Sequence, residues 1–282
     1  MNCPPAKPVR QAGFSLVELM TAAVVFMILG VLIAQLLSSA TTLTGMSNKK
    51  QEADAQGRQI FSRLALDFSR MLKRADVKYS LQKQTGNDRL AFLGEVSGYY
   101  PSTATPGTLS VVSYRMGEGT GDYEGLQRYS KGLAWAVDGS GETPAAFHRE
   151  ISALCPDAVS SAPLDAYEEI GPGVIRFEYL YLLKDGTLSE NPWKAGGTDI
   201  EGLKDVAGIC VVMAVIDPSV IGRVTPAEVR ALSAKLKDFN PATMTSLGVL
   251  ERDWQQTVDA DPFVRKSGGA VRVLSRCFFI GS

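Results

Sequence analysis

Glu18 is the residue of this chain whose setting demands chemistry. It stands in Gly13-Phe14-Ser15-Leu16-Val17-Glu18, immediately before an uncharged apolar run from Leu19 to Leu37. A carboxylate at the end of so apolar a segment is costly to leave alone, and ionisable groups in such segments are functional candidates by default. It therefore asks for a cationic partner. The plain alternative is a membrane anchor whose carboxylate only snorkels to the interface. The residues before it are polar, carry Lys7 and Arg10, and end at Gly13. A secretory signal would instead place its apolar region ahead of the cut. A cut after Gly13 keeps the apolar helix with the chain.

The elements that must position this group follow from hydropathy. The run from Leu19 to Leu37 has the roughly 20-residue length that crosses a bilayer as a helix. We take residues 1–13 as a leader and 14–40 as the transmembrane half of an N-terminal helix. From Asn48 to Gln59 the chain is polar and free of proline, and then Ile60, Leu64, Phe68, Met71 and Leu72 recur at helical spacing between charged residues. Residues 41–84 thus read as an amphipathic continuation with one face to bury. One helix is expected from Phe14 to about Tyr79, with Gly45 and Gly57 as places to bend.

The segment Gly13 to Glu18 resembles the prepilin processing site of type IV pilins and type II secretion pseudopilins: glycine before the cut, phenylalanine after it, glutamate fifth in the mature chain. The resemblance covers about the first 40 residues. It implies that Gly13 and Phe14 flank the bond cut by a prepilin peptidase and that the amine of Phe14 is N-methylated. It also implies that Glu18 acts in assembly, pairing with the terminal amine of a neighbouring pilin-like subunit. A bacterial inner-membrane, single-pass location follows, with the head in the periplasm or outside.

Elsewhere the sequence offers little for catalysis. His148 is the single histidine, and no nucleophile elbow, phosphate-binding glycine loop, Cys-x-x-Cys or His-Glu-x-x-His occurs. We expect no enzyme, no catalytic residues, no cofactor and no metal site. With 29 basic and 30 acidic residues, and two of the basic ones in the leader, no nucleic-acid face is indicated. The acidic glycine-rich stretches Gly117 to Glu124 and Asp138 to Glu142 contain oxygen ligands suited to calcium, without a full ligand spacing. Turn chemistry accounts for the same residues. Cys3 would leave with the leader, so Cys155, Cys210 and Cys277 remain, an odd number from which one bridge can form in an oxidising compartment.

From Asp88 onward short β-branched and aromatic runs alternate with glycine and proline. Expected strands are Arg89 to Val96, Thr108 to Arg115, Gly125 to Val137, Val174 to Leu183, Val206 to Ile216 and Val271 to Ile280, with tight turns at Asp138-Gly139 and Asp185-Gly186. Thr225-Pro226-Ala227-Glu228 reads as a capped helix start, with the helix running to about Phe239. The order of strand, Asp-Gly turn, Trp193, apolar strand ending at Asp217, helical insertion and last strand looks like J-type minor pseudopilins. It looks still more like protein C of the Verru_Chthon cassette. The expected fold is α+β and pilin-like, a long N-terminal helix packed on an antiparallel sheet head over residues 85–282, with a helical insertion at about 226–239. The function implied is a minor pilin or pseudopilin subunit of a type IV pilus-like or type II secretion filament. The alternative is a membrane-anchored binding module that does not polymerise.

Overall fold

The computed structural model describes residues 15–73, 80–98, 109–117, 125–132, 166–194, 203–221, 224–266 and 271–280. It separates into two compact units, Met1–Ser47 and Asn48–Ser282. The first helix, α1 (Leu16–Ser69), supplies residues to both. Within the first unit, residues 16–41 are all exposed.

In the second unit the rest of α1 forms the amphipathic element expected. Ala53, Ile60, Phe61, Leu64 and Phe68 are buried, while Arg58, Gln59, Ser62 and Arg63 face outward. Gly57 allows close approach: a β-carbon there would run into Leu274 Cδ1. The helix stops at Ser69, about ten residues before the expected Tyr79. The amides of Arg70 and Met71 tighten onto the carbonyls of Asp67 and Phe68. The Leu72 amide then donates to the Leu93 carbonyl at 2.9 Å, and the Arg70 carbonyl accepts from the Glu95 amide at 2.9 Å. The backbone groups a longer helix would use are thus taken by a strand, which the side-chain periodicity could not reveal.

Among the described residues, two antiparallel sheets stand where one was expected. The first has β1 (Ser80–Gln82), β2 (Arg89–Gly94), β3 (Ser110–Met116), β4 (Leu126–Gly132) and β5 (Glu168–Gly171), paired in sequence order. The second has β6 (Val174–Leu183), β7 (Leu188–Ser189), β8 (Val206–Ile216) and β9 (Val271–Phe279) in the order β7-β6-β8-β9. The chain changes sheet at Pro172-Gly173, where the Gly173 carbonyl accepts from the Ile216 amide at 2.7 Å. Proline has no amide to continue a ladder, which suits it to such a crossing. The Asp185-Gly186 turn forms as expected between β6 and β7, with Gly186 at φ +85°. The expected strand Gly125 to Val137 is described only as far as Gly132, and the Asp138-Gly139 turn lies outside the described residues.

Among the described residues, four helices lie between β8 and β9: α2 (Pro218–Ile221), α3 (Pro226–Lys235), α4 (Leu247–Ala260) and α5 (Pro262–Lys266). The capping box of α3 is present, Thr225 Oγ1 accepting from the Glu228 amide while the Glu228 carboxylate accepts from the Thr225 amide. The helix ends at Lys235, short of Phe239, because Leu236 turns extended and the Phe239 amide donates to Glu178 Oε1 at 2.9 Å. Helix α4 was not foreseen.

The two sheets and α1 enclose one apolar cluster built from Ile60, Phe68, Phe92, Tyr114, Phe177, Tyr179, Val211 and Met213. A second lies between the other face of β6-β8-β9 and the helices α3 and α4, where Leu180, Val212, Val229, Leu232, Leu250 and Trp254 meet. Strand β8 is covered on both sides, which explains its unbroken apolar sequence. Cys210 on β8 stands opposite Cys277 on β9, and the two form a disulfide. Cys155 lies outside the described residues.

Because these clusters are complete within residues 48–282, a chain beginning at Asn48 is expected to be soluble and to unfold in a single cooperative transition. Urea denaturation followed by circular dichroism and by tryptophan fluorescence checks this. Non-coincident curves, or a protein that sediments as aggregate under non-reducing conditions, would show that the unit needs the missing segment.

Candidate functional site

The N-terminal site is built on the first turn of α1. Ser15 precedes the helix, and its hydroxyl accepts the Glu18 amide at 3.2 Å, satisfying one of the donors that a helix start leaves free. The Thr21 hydroxyl donates to the Glu18 carbonyl at 3.0 Å. The Glu18 side chain is exposed, on a helix whose next 25 residues carry no other charge. Gly13 and Phe14 lie outside the described residues. The helix is long and apolar enough to cross a membrane. Exposed apolar side chains from Leu16 through Leu43 have no cover within the first unit, so lipid or another polypeptide is the setting their chemistry suits.

The ionisable groups of the second unit are framework pieces. Asp67, on the buried face of α1, receives Arg128 Nε at 2.7 Å and Nη2 at 3.2 Å, together with the Tyr114 hydroxyl. Strands β3 and β4 are thereby fastened to the helix. Lys83 reaches Asp88 Oδ2 at 2.5 Å, Glu178 Oε1 at 3.2 Å and the Tyr179 carbonyl at 2.7 Å. One cation thus serves two buried carboxylates, and one oxygen of Glu178, Oε2, has no hydrogen-bond partner among the described residues. Arg176 pairs with Asp238, which also accepts from the Gly86 amide at 3.1 Å. None of these groups was singled out from sequence, where each looks like an ordinary charge on a helix, strand or loop.

Burial raises the pKa of both Glu178 and Asp88, against the opposing pull of Lys83. A carboxyl raised in the folded state gives stability that is full below its unfolded value and is lost as pH climbs through the folded one. The unfolded values are 4.5 and 3.8, so this contribution is expected to decline as pH rises from about 4 toward neutrality. Glu178→Gln, which keeps an acceptor for the Phe239 amide, should flatten that decline. Urea midpoints collected across the range check it, and an unchanged slope in the variant would assign the decline elsewhere.

His148, Cys155, the stretch from Glu118 to Glu124 and the stretch from Asp138 to Glu142 lie outside the described residues. Among the described residues, no three His, Cys, Asp or Glu side chains group closely enough to hold a metal ion. A groove of about 440 Å³ runs between α1 and β5, lined by Gln59, Ser62, Arg63, Leu66, Glu168 and Ile170.

Residues 9–34 match the family described as the Prokaryotic N-terminal methylation motif, a span that contains Gly13, Phe14 and Glu18. No curated protein matches the chain. Among solved structures, a chain of the GspK-GspI-GspJ complex from the enterotoxigenic Escherichia coli Type 2 Secretion System is similar at 15% identity. The overlap covers 56% of this chain and 86% of that one, with a TM-score of 0.28. The methylation motif thus lies over the start of a membrane-length helix, and an α+β unit begins on the same helix.

Proposed function

We propose that the chain is a minor pilin or pseudopilin subunit: inserted in the bacterial inner membrane, cut by a prepilin peptidase between Gly13 and Phe14, methylated at the new amine, and assembled with other pilin-like subunits. The observation that carries this reading is the methylation motif over residues 9–34, which overlaps the start of a membrane-length apolar helix. In this reading residues 1–13 are the leader, 14–40 the transmembrane half of the helix, 41–84 its amphipathic half and 85–282 the head. The role is structural rather than enzymatic.

Glu18 then has its partner. At the interface of an isolated subunit the carboxylate stays solvated. Inside a bundle of apolar helices its attraction to the Phe14 amine of a neighbour would be stronger, because the local dielectric is lower. Glu18→Ala is expected to be inserted and cut normally yet to enter sheared filaments poorly, and Glu18→Gln should behave like alanine. Gly13→Val should leave the uncut form, since glycine alone presents no side chain to the peptidase. N-terminal sequencing of membrane-extracted protein should begin at Phe14. An intact Met1 terminus beside an active peptidase would refute the cut. Normal filament entry of both Glu18 variants would favour the anchored module that does not polymerise.

A further inference from the structure

The connection between β1 and β2 doubles as the cover of one edge of β6. Strand β7 pairs with Tyr181 and Leu182, late in β6. Nearer its start, β6 is covered by residues 83–88 instead. The Phe177 amide donates to Asn87 Oδ1 at 3.0 Å, and the Phe177 carbonyl accepts from the Asp88 amide at 3.1 Å. The Tyr179 amide donates to Asp88 Oδ2 at 3.1 Å, and the Tyr179 carbonyl accepts from Lys83. The segment after α3 comes to the same place, through the Phe239 amide on Glu178 and through Asp238, which holds Arg176 and the Gly86 amide. Three stretches distant in sequence thus meet at the start of β6.

Among the described residues, two cations, Lys83 and Arg176, are paired here with three carboxylates, Asp88, Glu178 and Asp238. Strand β8 sets uncharged Val212 opposite Glu178, and α4 sets Trp254 5.7 Å from Arg176. Lys237 and Asp253 line, with Asp238, a groove of about 590 Å³ beside them. The three paired carboxylates are not equivalent. Asp88 has a donor on each oxygen, the Gln84 amide on Oδ1 at 3.3 Å and Lys83 with the Tyr179 amide on Oδ2. Asp238 receives the Gly86 amide on both oxygens and Arg176 besides. The Glu178 side chain is 1% exposed, and both its donors, Lys83 and the Phe239 amide, lie on Oε1. Its Oε2 has none among the described residues. A buried carboxylate oxygen without a donor makes the ionised form costly, and a proton there also cancels the excess negative charge. Burial is accordingly the largest cause of the raised Glu178 pKa; Lys83 and the Phe239 amide oppose the rise, and Asp88 adds to it.

We propose that Glu178 is a proton-operated latch: protonated, it holds residues 236–239 on β6, and on losing the proton it lets that segment go while both sheets stay folded. Ionised, Glu178 attracts Lys83 and the Phe239 amide more strongly, but its bare oxygen still needs a donor, and water supplies one once the cover moves. Strand β6 is fixed, since it is paired with β8 from Val174 to Leu183. Residues 83–88 are kept in place by the bonds of Asn87 and Asp88 to Phe177 and Tyr179, none of which involves Glu178. The segment after α3 is the piece Glu178 holds directly. Leu236 and Phe239 are buried, so the open form is a minor one whose share pH sets. Because Lys237, Asp238 and Asn240 also wall the groove, the latch couples the shape of that surface to the pH around it. The inference does not depend on the chain polymerising, so its failure and the failure of the filament reading are separate results.

The test follows backbone amide exchange, resolved by residue, in the full chain in phosphatidylcholine nanodiscs from about pH 5 to about pH 8, each rate divided by that of the unstructured peptide. Opening at Phe239 is expected to rise by up to about tenfold per pH unit, one proton leaving per opening, and to level off at the pKa of the closed form. The Tyr179 amide, held by Asp88, should show no such rise. Glu178→Gln keeps an acceptor for the Phe239 amide but has no proton to lose, so its Phe239 opening should not change with pH. Asp88→Asn removes the neighbouring like charge and leaves Lys83 to Glu178 alone, so the levelling-off should come at lower pH. Opening at Phe239 that is independent of pH in the native chain, or that keeps its pH dependence in Glu178→Gln, would overturn the proposal. Parallel rises at Phe239 and Tyr179 would also overturn it, by assigning the proton release to unfolding of the whole unit. So would a dependence lost in Asp88→Asn and kept in Glu178→Gln, which would place the proton on Asp88.

Discussion

Replacing Asp67 by alanine is expected to destabilise the second unit by about 3–5 kcal/mol, because it strands the Arg128 cation in the core. Both side chains are 1% exposed, and Arg128 reaches Asp67 through two nitrogens. The loss also removes the acceptor of the buried Tyr114 hydroxyl. The penalty should come chiefly from the abandoned partners rather than from the pair itself. Asp67→Leu combined with Arg128→Met and Tyr114→Phe should therefore recover most of it, since apolar replacement of a buried ion pair is commonly neutral or favourable. Urea denaturation of the unit beginning at Asn48 measures both. A loss under about 1 kcal/mol for Asp67→Ala would mean that water reaches Arg128 and that the pair behaves as a surface one.

Removing the Cys210–Cys277 bridge should have an effect of similar size. It closes a loop of 67 residues that contains helices α2 to α5, and in the chain-entropy account such a closure is worth about 4 kcal/mol. Both cysteines stand at a pair of positions that exchange no backbone hydrogen bonds, so alanine at both sites leaves the ladder between β8 and β9 intact. Double replacement should lower the urea midpoint as much as reductant lowers that of the native chain, and reductant should then have no further effect. A further drop on reduction of the double variant would implicate Cys155 in a bridge of its own.

How far the sequence revealed this arrangement depends on the range of the interaction. Strands β6, β8 and β9 carry their apolar pattern in contiguous residues, and the Thr225-Pro226-Glu228 cap is local chemistry, so both were legible. The pattern for α4 was also present, since Leu250, Trp254 and Val258 recur every fourth residue and are all buried. It was missed although Ser246, a residue type favoured at helix starts, stands at the N-cap position; in the structure that side chain makes no cap bond. The pairing of Cys210 with Cys277, the clamp on Asp67 and the stop at Ser69 arise from register between distant segments. No local periodicity encodes them. At the N-terminal site the balance reverses, because residue types at fixed spacing carry its meaning, and the structure adds the helix start at Ser15 and the exposure of Glu18.

The contacts of β9 with α1 have a kinetic consequence. Arg272 reaches Asp54 across 218 residues of chain, and Lys73 reaches Ile280 across 207. Phe278 packs on Phe61 and Phe68. The strand that closes the core over the helix is thus made long after the helix it covers. Until it arrives, the apolar face from Ala53 to Phe68 lacks that cover, and the loop-closure entropy of the longest contacts must be met before they reward it. Folding of the second unit should accordingly wait until β9 has been made, and a stop codon before Val271 should leave a species held by chaperones or degraded rather than a smaller folded head.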